Sequence, residues 1–152
     1  MTAPNLLLRS LVCVGLCGML LSASGCAFGE FRPGDPFDRQ ISLDDAQHRY
    51  TVLIRFSEFK KARRFVAQDD RDAFTKRMKS LEEARFTDYE SESVELDDEK
   101  QKATVRVTYT IYTPSRPYEV EVTEIQEWSR DGLTNDWQLV STFEGLTEIV
   151  AN

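Results

Sequence analysis

Residues 103–112 read Ala-Thr-Val-Arg-Val-Thr-Tyr-Thr-Ile-Tyr, so an apolar or aromatic side chain alternates with a polar one along most of the segment. Successive side chains of a β-strand point to opposite faces of its sheet, and this alternation predicts a strand with one buried face. The expected inward set is apolar with one phenol and is typical of a filled core: Ala103, Val105, Val107, Tyr109 and Ile111.

Three further segments are predicted to be strands on either side of this one, at 86–96, 118–128 and 137–141. Turn residues separate the segments, including Pro114 and Pro117 after the second strand and Asp131-Gly132 before the last. Short connections between consecutive strands favour antiparallel hairpins. We therefore expect a curved antiparallel sheet of about four strands.

Helical spacing precedes the strands. Ser42 is a candidate N-cap with Asp45 three residues later, and apolar residues then recur three and four positions apart. A short second helix is expected across 59–66, and a third is expected after Asp69 and Asp70, where it presents Phe74, Met78 and Leu81. The prediction is an α+β fold in which three N-terminal helices pack on one face of the sheet.

The N-terminus has the three-part order of a secretory signal peptide. Residues 1–25 contain one charged residue, Arg9, which precedes an apolar run at 11–21 and small residues at 22–25. A membrane-spanning helix needs about 20 apolar residues, and this run is shorter. We predict that residues 1–25 are a signal peptide cleaved after Gly25.

The segment Ala23-Ser24-Gly25-Cys26 resembles the lipobox of bacterial lipoproteins. The resemblance implies a diacylglyceryl group on the Cys26 sulfur, cleavage after Gly25 and acylation of the new amino terminus. Two or more acyl chains hold a protein stably on a membrane, whereas a single acyl chain holds it only marginally. Ala27 after the cysteine resembles the signal for sorting to the outer membrane, so the expected location is that membrane, facing the periplasm.

An ordinary secreted protein with a thiol near its start is the alternative. Cysteine usage favours the lipoprotein, because Cys13 and Cys17 leave with the signal peptide and Cys26 then has no partner for a disulfide. Residues 26–40 have the glycine and proline content of a lipid-anchored tether, and the folded domain is expected at 41–152.

The predicted domain resembles the NTF2-like (cystatin-like) superfamily. Residues 50–62 resemble that family's first helix breaking into a short second one, and residues 127–140 resemble its closing hairpin, with Trp128 and Trp137 on the two arms. The resemblance implies three helices packed into the cone of a curved sheet, as in small NTF2-like lipoproteins of Gram-negative bacteria. It implies no particular function, because the superfamily includes both enzymes and binding proteins.

Composition excludes several classes of function. The formal net charge of −7 argues against a nucleic-acid partner, since phosphate binding depends on Lys and Arg. Three cysteines and one histidine do not supply the usual ligands of a zinc site. The acidic residues at 90–99 lack the spacing and glycine of a calcium loop, and a solvated edge is expected there. We expect no metal and no cofactor.

Few residues are candidates for chemistry. His48 lies off the main apolar stripe and is expected at a solvent-exposed helix edge, whereas Tyr50, Tyr109 and Glu124 are candidates to line a pocket. Alternation along 118–128 places Glu124 inward, where burial would raise its pKa and suit it to general acid–base work. We favour instead a β-bulge near Thr123 that turns Ile125 inward and leaves Glu124 in water, because burying an unpartnered carboxylate is costly.

These observations favour a lipid-anchored, periplasm-facing binding or interaction module of the bacterial envelope. One alternative is a proton-transfer enzyme, similar to an isomerase or dehydratase, that uses Glu124. Another is a structural envelope subunit that binds a protein partner or a second copy through a sheet face carrying Thr104, Thr108, Thr110 and Tyr112.

Overall fold

The computed structural model describes residues 38–146 of the chain. Its helical part comes first and its sheet second. The elements in chain order are α1 (Arg39–Arg55), α2 (Phe59–Ala62), a 3-10 turn (Gln68–Asp70), α3 (Arg71–Ser80), β1 (Arg85–Ser91), β2 (Lys102–Thr113), β3 (Arg116–Ser129) and β4 (Gln138–Glu144).

The content is α+β, but the prediction of three N-terminal helices packed as an NTF2-like cone is wrong. The helices occupy 39–80, and only α1 and α3 are longer than four residues, with 17 and 10 residues respectively. The expected second helix ends at Ala62 because the following backbone pairs with β4 instead. The amide of Leu139 donates to the carbonyl of Phe65, and the amide of Ala67 donates to the carbonyl of Leu139.

The start of α1 also differs from the prediction. The helix begins at Arg39, and Asp38 before it has a φ of 47° and makes no capping hydrogen bond with its side chain. The Ser42 hydroxyl does not cap the helix, because it donates to the carbonyl of Arg39 and accepts from Nε1 of Trp137 at 2.8 Å. Ser42 therefore attaches α1 to the segment that enters β4.

The sheet contains four antiparallel strands in the order β1-β2-β3-β4. Each strand lies beside its neighbour in sequence because the connections between them are short. The strand predicted at 86–96 ends at Ser91. The last connection includes Gly132 at a φ of 66°, in the left-handed region that favours glycine.

The core lies between α1, α3 and one face of the sheet. Every residue predicted to face inward from β2 is buried, as are Trp128 at 1% and Trp137 at 5% exposure. The helices contribute their apolar stripes, which are Leu43, Ala46, Tyr50 and Ile54 from α1 and Phe74 and Met78 from α3.

The predicted signal peptide, its cleavage site at Gly25 and the lipidation site at Cys26 lie outside the described residues. Within 38–146, none of the helices has the length and apolar character needed to cross a membrane.

Candidate functional site

Glu124 lies in the core, so the predicted bulge near Thr123 is wrong. The pairing of β3 with β2 is continuous from Thr123 to Ser129, and Glu124 stands opposite Val107 on β2 and Phe143 on β4. Val122, Glu124, Gln126 and Trp128 consequently all face inward, and the exposure of Glu124 is 0%. The strand keeps its register because the carboxylate finds polar partners inside the core, which removes the cost that favoured a bulge.

Four side chains donate hydrogen bonds to the Glu124 carboxylate. Oε1 accepts from the hydroxyl of Tyr50 at 2.5 Å and from that of Ser141. Oε2 accepts from the hydroxyl of Tyr109 at 3.0 Å and from Nε2 of Gln126 at 2.8 Å. An ionised carboxylate has about four acceptor positions. The donors of the described residues therefore occupy all of them.

The donors come from four elements of the fold. Tyr50 lies on α1, Tyr109 on β2, Gln126 on β3 and Ser141 on β4. Tyr50 belongs to the helical stripe, whereas the other three occupy inward positions of alternating strands. The pairing of β2, β3 and β4 brings the three sheet donors to the carboxylate, and the packing of α1 across the sheet adds Tyr50.

Further polar residues connect this cluster to the edge of the sheet. Nε2 of Gln126 also reaches Oγ1 of Thr51 at 3.3 Å, and Nε2 of Gln47 donates to that hydroxyl at 3.1 Å. Gln47 in turn donates to Oγ of Ser91 at 3.0 Å, where β1 ends in solvent. On the other side, Nε1 of Trp128 donates to Oε1 of Gln126 at 3.1 Å.

The environment shifts the pKa of each ionisable group of the cluster. Burial raises the pKa of the Glu124 carboxyl above its ordinary value, while hydrogen bonds from Ser141, Tyr50, Gln126 and Tyr109 lower it in part. The pKa values of Tyr50 and Tyr109 are raised well above the ordinary value, first by burial and then by the charge of Glu124. Both phenols therefore remain protonated and act as donors.

All three predicted pocket residues, Tyr50, Tyr109 and Glu124, meet in this cluster. Gln126, Ser141 and Thr51 were not among the predicted site residues, although strand alternation carried a signal for two of them. Gln126 follows Glu124 by two positions and Ser141 follows the buried Leu139 by two, so both share their neighbours' inward face. His48 is exposed on α1, as predicted.

The acidic segment before β2 forms a solvated turn. The carboxylate of Asp97 accepts from the amides of Gln101 at 2.7 Å and Lys102 at 3.1 Å, and these backbone bonds lower its pKa. In the part of the chain that the structure describes, no three His, Cys, Asp or Glu side chains are grouped so that they could hold a metal ion.

Among the surface clefts formed by residues 38–146, two large ones are lined by neither Glu124 nor its four donors. The larger, about 690 Å³, lies between α1, residues 61–65 and the segment that enters β4. The smaller, about 480 Å³, lies between α2 and α3, where Phe59, Phe74 and Met78 contribute apolar surface.

Comparisons with protein-family models, with curated proteins and with solved structures found no match for this chain.

Proposed function

We propose that this chain is a lipid-anchored, periplasm-facing binding or interaction module of the bacterial envelope. The hydrogen bonds that occupy the Glu124 carboxylate are the observation that favours binding over catalysis. A general base must lie within hydrogen-bond reach of its substrate. The acceptor positions of this carboxylate are occupied by donors from α1, β2, β3 and β4. These bonds join the helix to the strands within the core, and we call this arrangement the polar clamp.

The anchor in this proposal rests on the sequence at Cys26. The apolar run at 11–21 followed by Ala23-Ser24-Gly25-Cys26 supports export, cleavage after Gly25 and lipidation of the cysteine. Ala27 supports sorting to the outer membrane. The formal net charge of −7 supports attachment through acyl chains, since an anionic surface attracts basic segments rather than acidic ones.

A protein partner on the exposed face of the sheet fits the charges better than a second copy of the chain. Thr104 stands opposite Glu127 and Thr110 stands opposite Glu121, so threonines and carboxylates share this face. Arg106 lies between Glu92 and Glu144 at 3.9 and 3.4 Å. Two copies that met through these faces would place like charges against each other, which disfavours association.

Fractionation of the full-length chain expressed in a Gram-negative host tests the proposal. We expect wild-type protein in the membrane fraction with the mass of an acylated N-terminal peptide, and Cys26→Ser as an uncleaved, unacylated precursor. Wild-type protein that is soluble in the periplasm with an unmodified N-terminal peptide would contradict the anchor.

A proton-transfer enzyme is the second candidate, and the raised pKa of Glu124 favours it. The polar path through Gln126, Thr51 and Gln47 to Ser91 would link the carboxylate to solvent. Such an enzyme must open the cluster to substrate, and its phenol protons would then exchange quickly with water. Slow exchange of the Tyr50 and Tyr109 hydroxyl protons, measured by NMR, supports the clamp, and fast exchange supports the enzyme.

A further inference from the structure

We propose that the larger surface cleft binds a phosphate monoester that carries an apolar group. This inference rests on the proposed binding function and names its ligand class, but it does not depend on the lipid anchor. It rests on the cations and the apolar side chains that line the cleft.

The cleft is lined by both acidic and basic side chains. Asp45 and Asp136 line it near Ser42 and Trp137, which are bonded to each other. Arg49 follows Asp45 by about one helical turn on α1, and its guanidinium lies 5.9 Å from the centre of the Phe65 ring. Lys61 and Arg64 line the cleft on the same segment as Phe65.

Two guanidinium groups line the cleft, those of Arg49 and Arg64. Among residues 38–146, neither Arg49 nor Arg64 forms an ion pair, although Nε of Arg49 donates to the carbonyl of Asp45 at 3.3 Å. Lys61 pairs with Glu58 at 3.1 Å, but both side chains are substantially exposed and such pairs are weak. Up to three cations are therefore available to one ligand in a chain whose net charge is −7.

These cations match the charge and shape of a phosphate monoester. The group carries nearly two negative charges at neutral pH and presents three acceptor oxygens. Guanidinium groups offer paired donors in a planar fork that fits phosphate oxygens. Because the acidic chain repels anions at long range, the cleft must select its ligand through these short-range contacts.

The other residues that line the cleft are the reason for including an apolar group in the proposed ligand. Leu53 and Phe65, both half-buried, contribute apolar surface to the same cleft, and the buried Ala46 and Trp137 lie in its wall. Its volume of about 690 Å³ lies within the range of about 300–1,000 Å³ that is typical of small-molecule sites. The phosphate would lie against Arg49 and Arg64, and the apolar group would lie against Leu53 and Phe65.

A soluble ester and a phospholipid headgroup can both present a phosphate monoester with an apolar group. A calorimetric titration of the full-length chain in a neutral detergent distinguishes these two sources. The probes are phenyl phosphate, inorganic phosphate, and micelles doped with phosphatidic acid or with phosphatidylcholine. We expect saturable binding of phenyl phosphate, and weaker binding of inorganic phosphate because it lacks the apolar group. Binding of phosphatidic acid micelles alone would instead assign the site to a lipid headgroup.

The variants Arg49→Gln and Arg64→Gln should each weaken binding by about tenfold or more, as expected for loss of hydrogen bonds between charged groups. Lys76→Gln is the matched control, because Lys76 is exposed on α3 and lines neither cleft. The inference is overturned if no phosphate probe binds, if inorganic phosphate binds as tightly as phenyl phosphate, or if Lys76→Gln weakens binding as much as Arg64→Gln. The two proposals can fail separately. Absence of phosphate binding in a correctly lipidated chain contradicts the proposed ligand but not the lipid anchor, and an unmodified Cys26 contradicts the anchor but not the ligand.

Discussion

The hydroxyl of Tyr50 on α1 donates to Oε1 of Glu124 on β3 at 2.5 Å, across 74 positions of sequence. This bond joins the helical layer to the centre of the sheet at a point where both residues are completely buried. Hydrogen bonds to a charged group contribute more than neutral ones, and loss of one partner leaves the other unsatisfied in the core. The pair therefore couples the position of α1 to the charge of Glu124.

The substitution Glu124→Gln should change how stability depends on pH. Since folding raises the pKa of Glu124, protonation favours the folded state, and this contribution is fully present below the pKa of the unfolded chain. It is lost as pH rises through the folded pKa. The free energy of unfolding of Glu124→Gln, measured in urea relative to wild type, should thus increase between acidic and neutral pH.

Glu127→Gln is the control for that experiment, because it makes the same chemical change on the exposed face of β3. Comparison with wild type at each pH removes the contributions of the other ionisable groups. A difference between Glu124→Gln and wild type that stays constant with pH would show that burial does not perturb this carboxyl.

Tyr50→Phe should destabilise the domain by about 1.5–3 kcal/mol at neutral pH, because it removes a donor to a buried charged group. The cost should be smaller when Glu124→Gln is already present, since the carboxylate charge is then absent. A double-mutant cycle of urea unfolding measures this coupling. Tyr118→Phe, at a site 59% exposed, serves as control. Equal costs in both backgrounds would contradict the coupling.

Trp137→Ala should lower the free energy of unfolding by about 3–5 kcal/mol, the usual range for removing a buried tryptophan side chain. The indole packs at the entrance of β4, donates to Ser42, and lies 5.6 Å from the guanidinium of Arg130. Thermal unfolding measures the loss, with Leu133→Ala, at a site 72% exposed in the preceding loop, as the control. A melting temperature within a few degrees of wild type would contradict the role of Trp137.

Ala27→Asp should move the lipidated protein from the outer to the inner membrane. In the lipoproteins that this motif resembles, the residue after the cysteine determines the membrane to which the protein is sorted. Separation of the two membranes on a sucrose gradient measures the change, and Ala27→Ser is the control because it adds no charge. If both variants remain with the outer membrane, the sorting part of the proposal is wrong.

Local sequence patterns predict the strands and much of the core. Alternation along 103–112 identifies the buried residues of β2, and the turn residues identify the antiparallel connections. These predictions succeed because side-chain direction in a strand depends only on local backbone geometry. Helical spacing at 59–66 is misleading, because the edge of β4 competes for the backbone of Phe65 and Ala67.

Whether Glu124 faces the core or the solvent depends on residues far from it in sequence. Alternation along 118–128 places Glu124 inward, but burial of a carboxylate without partners is costly, and that cost favours a bulge near Thr123. Tyr50, Tyr109 and Ser141 supply those partners from three other elements, and none of them is local to β3. The sequence alone determined the alternation and the motif at Cys26, while the tertiary structure decided the burial of Glu124, because hydrogen-bond satisfaction in a core depends on which distant side chains folding brings together.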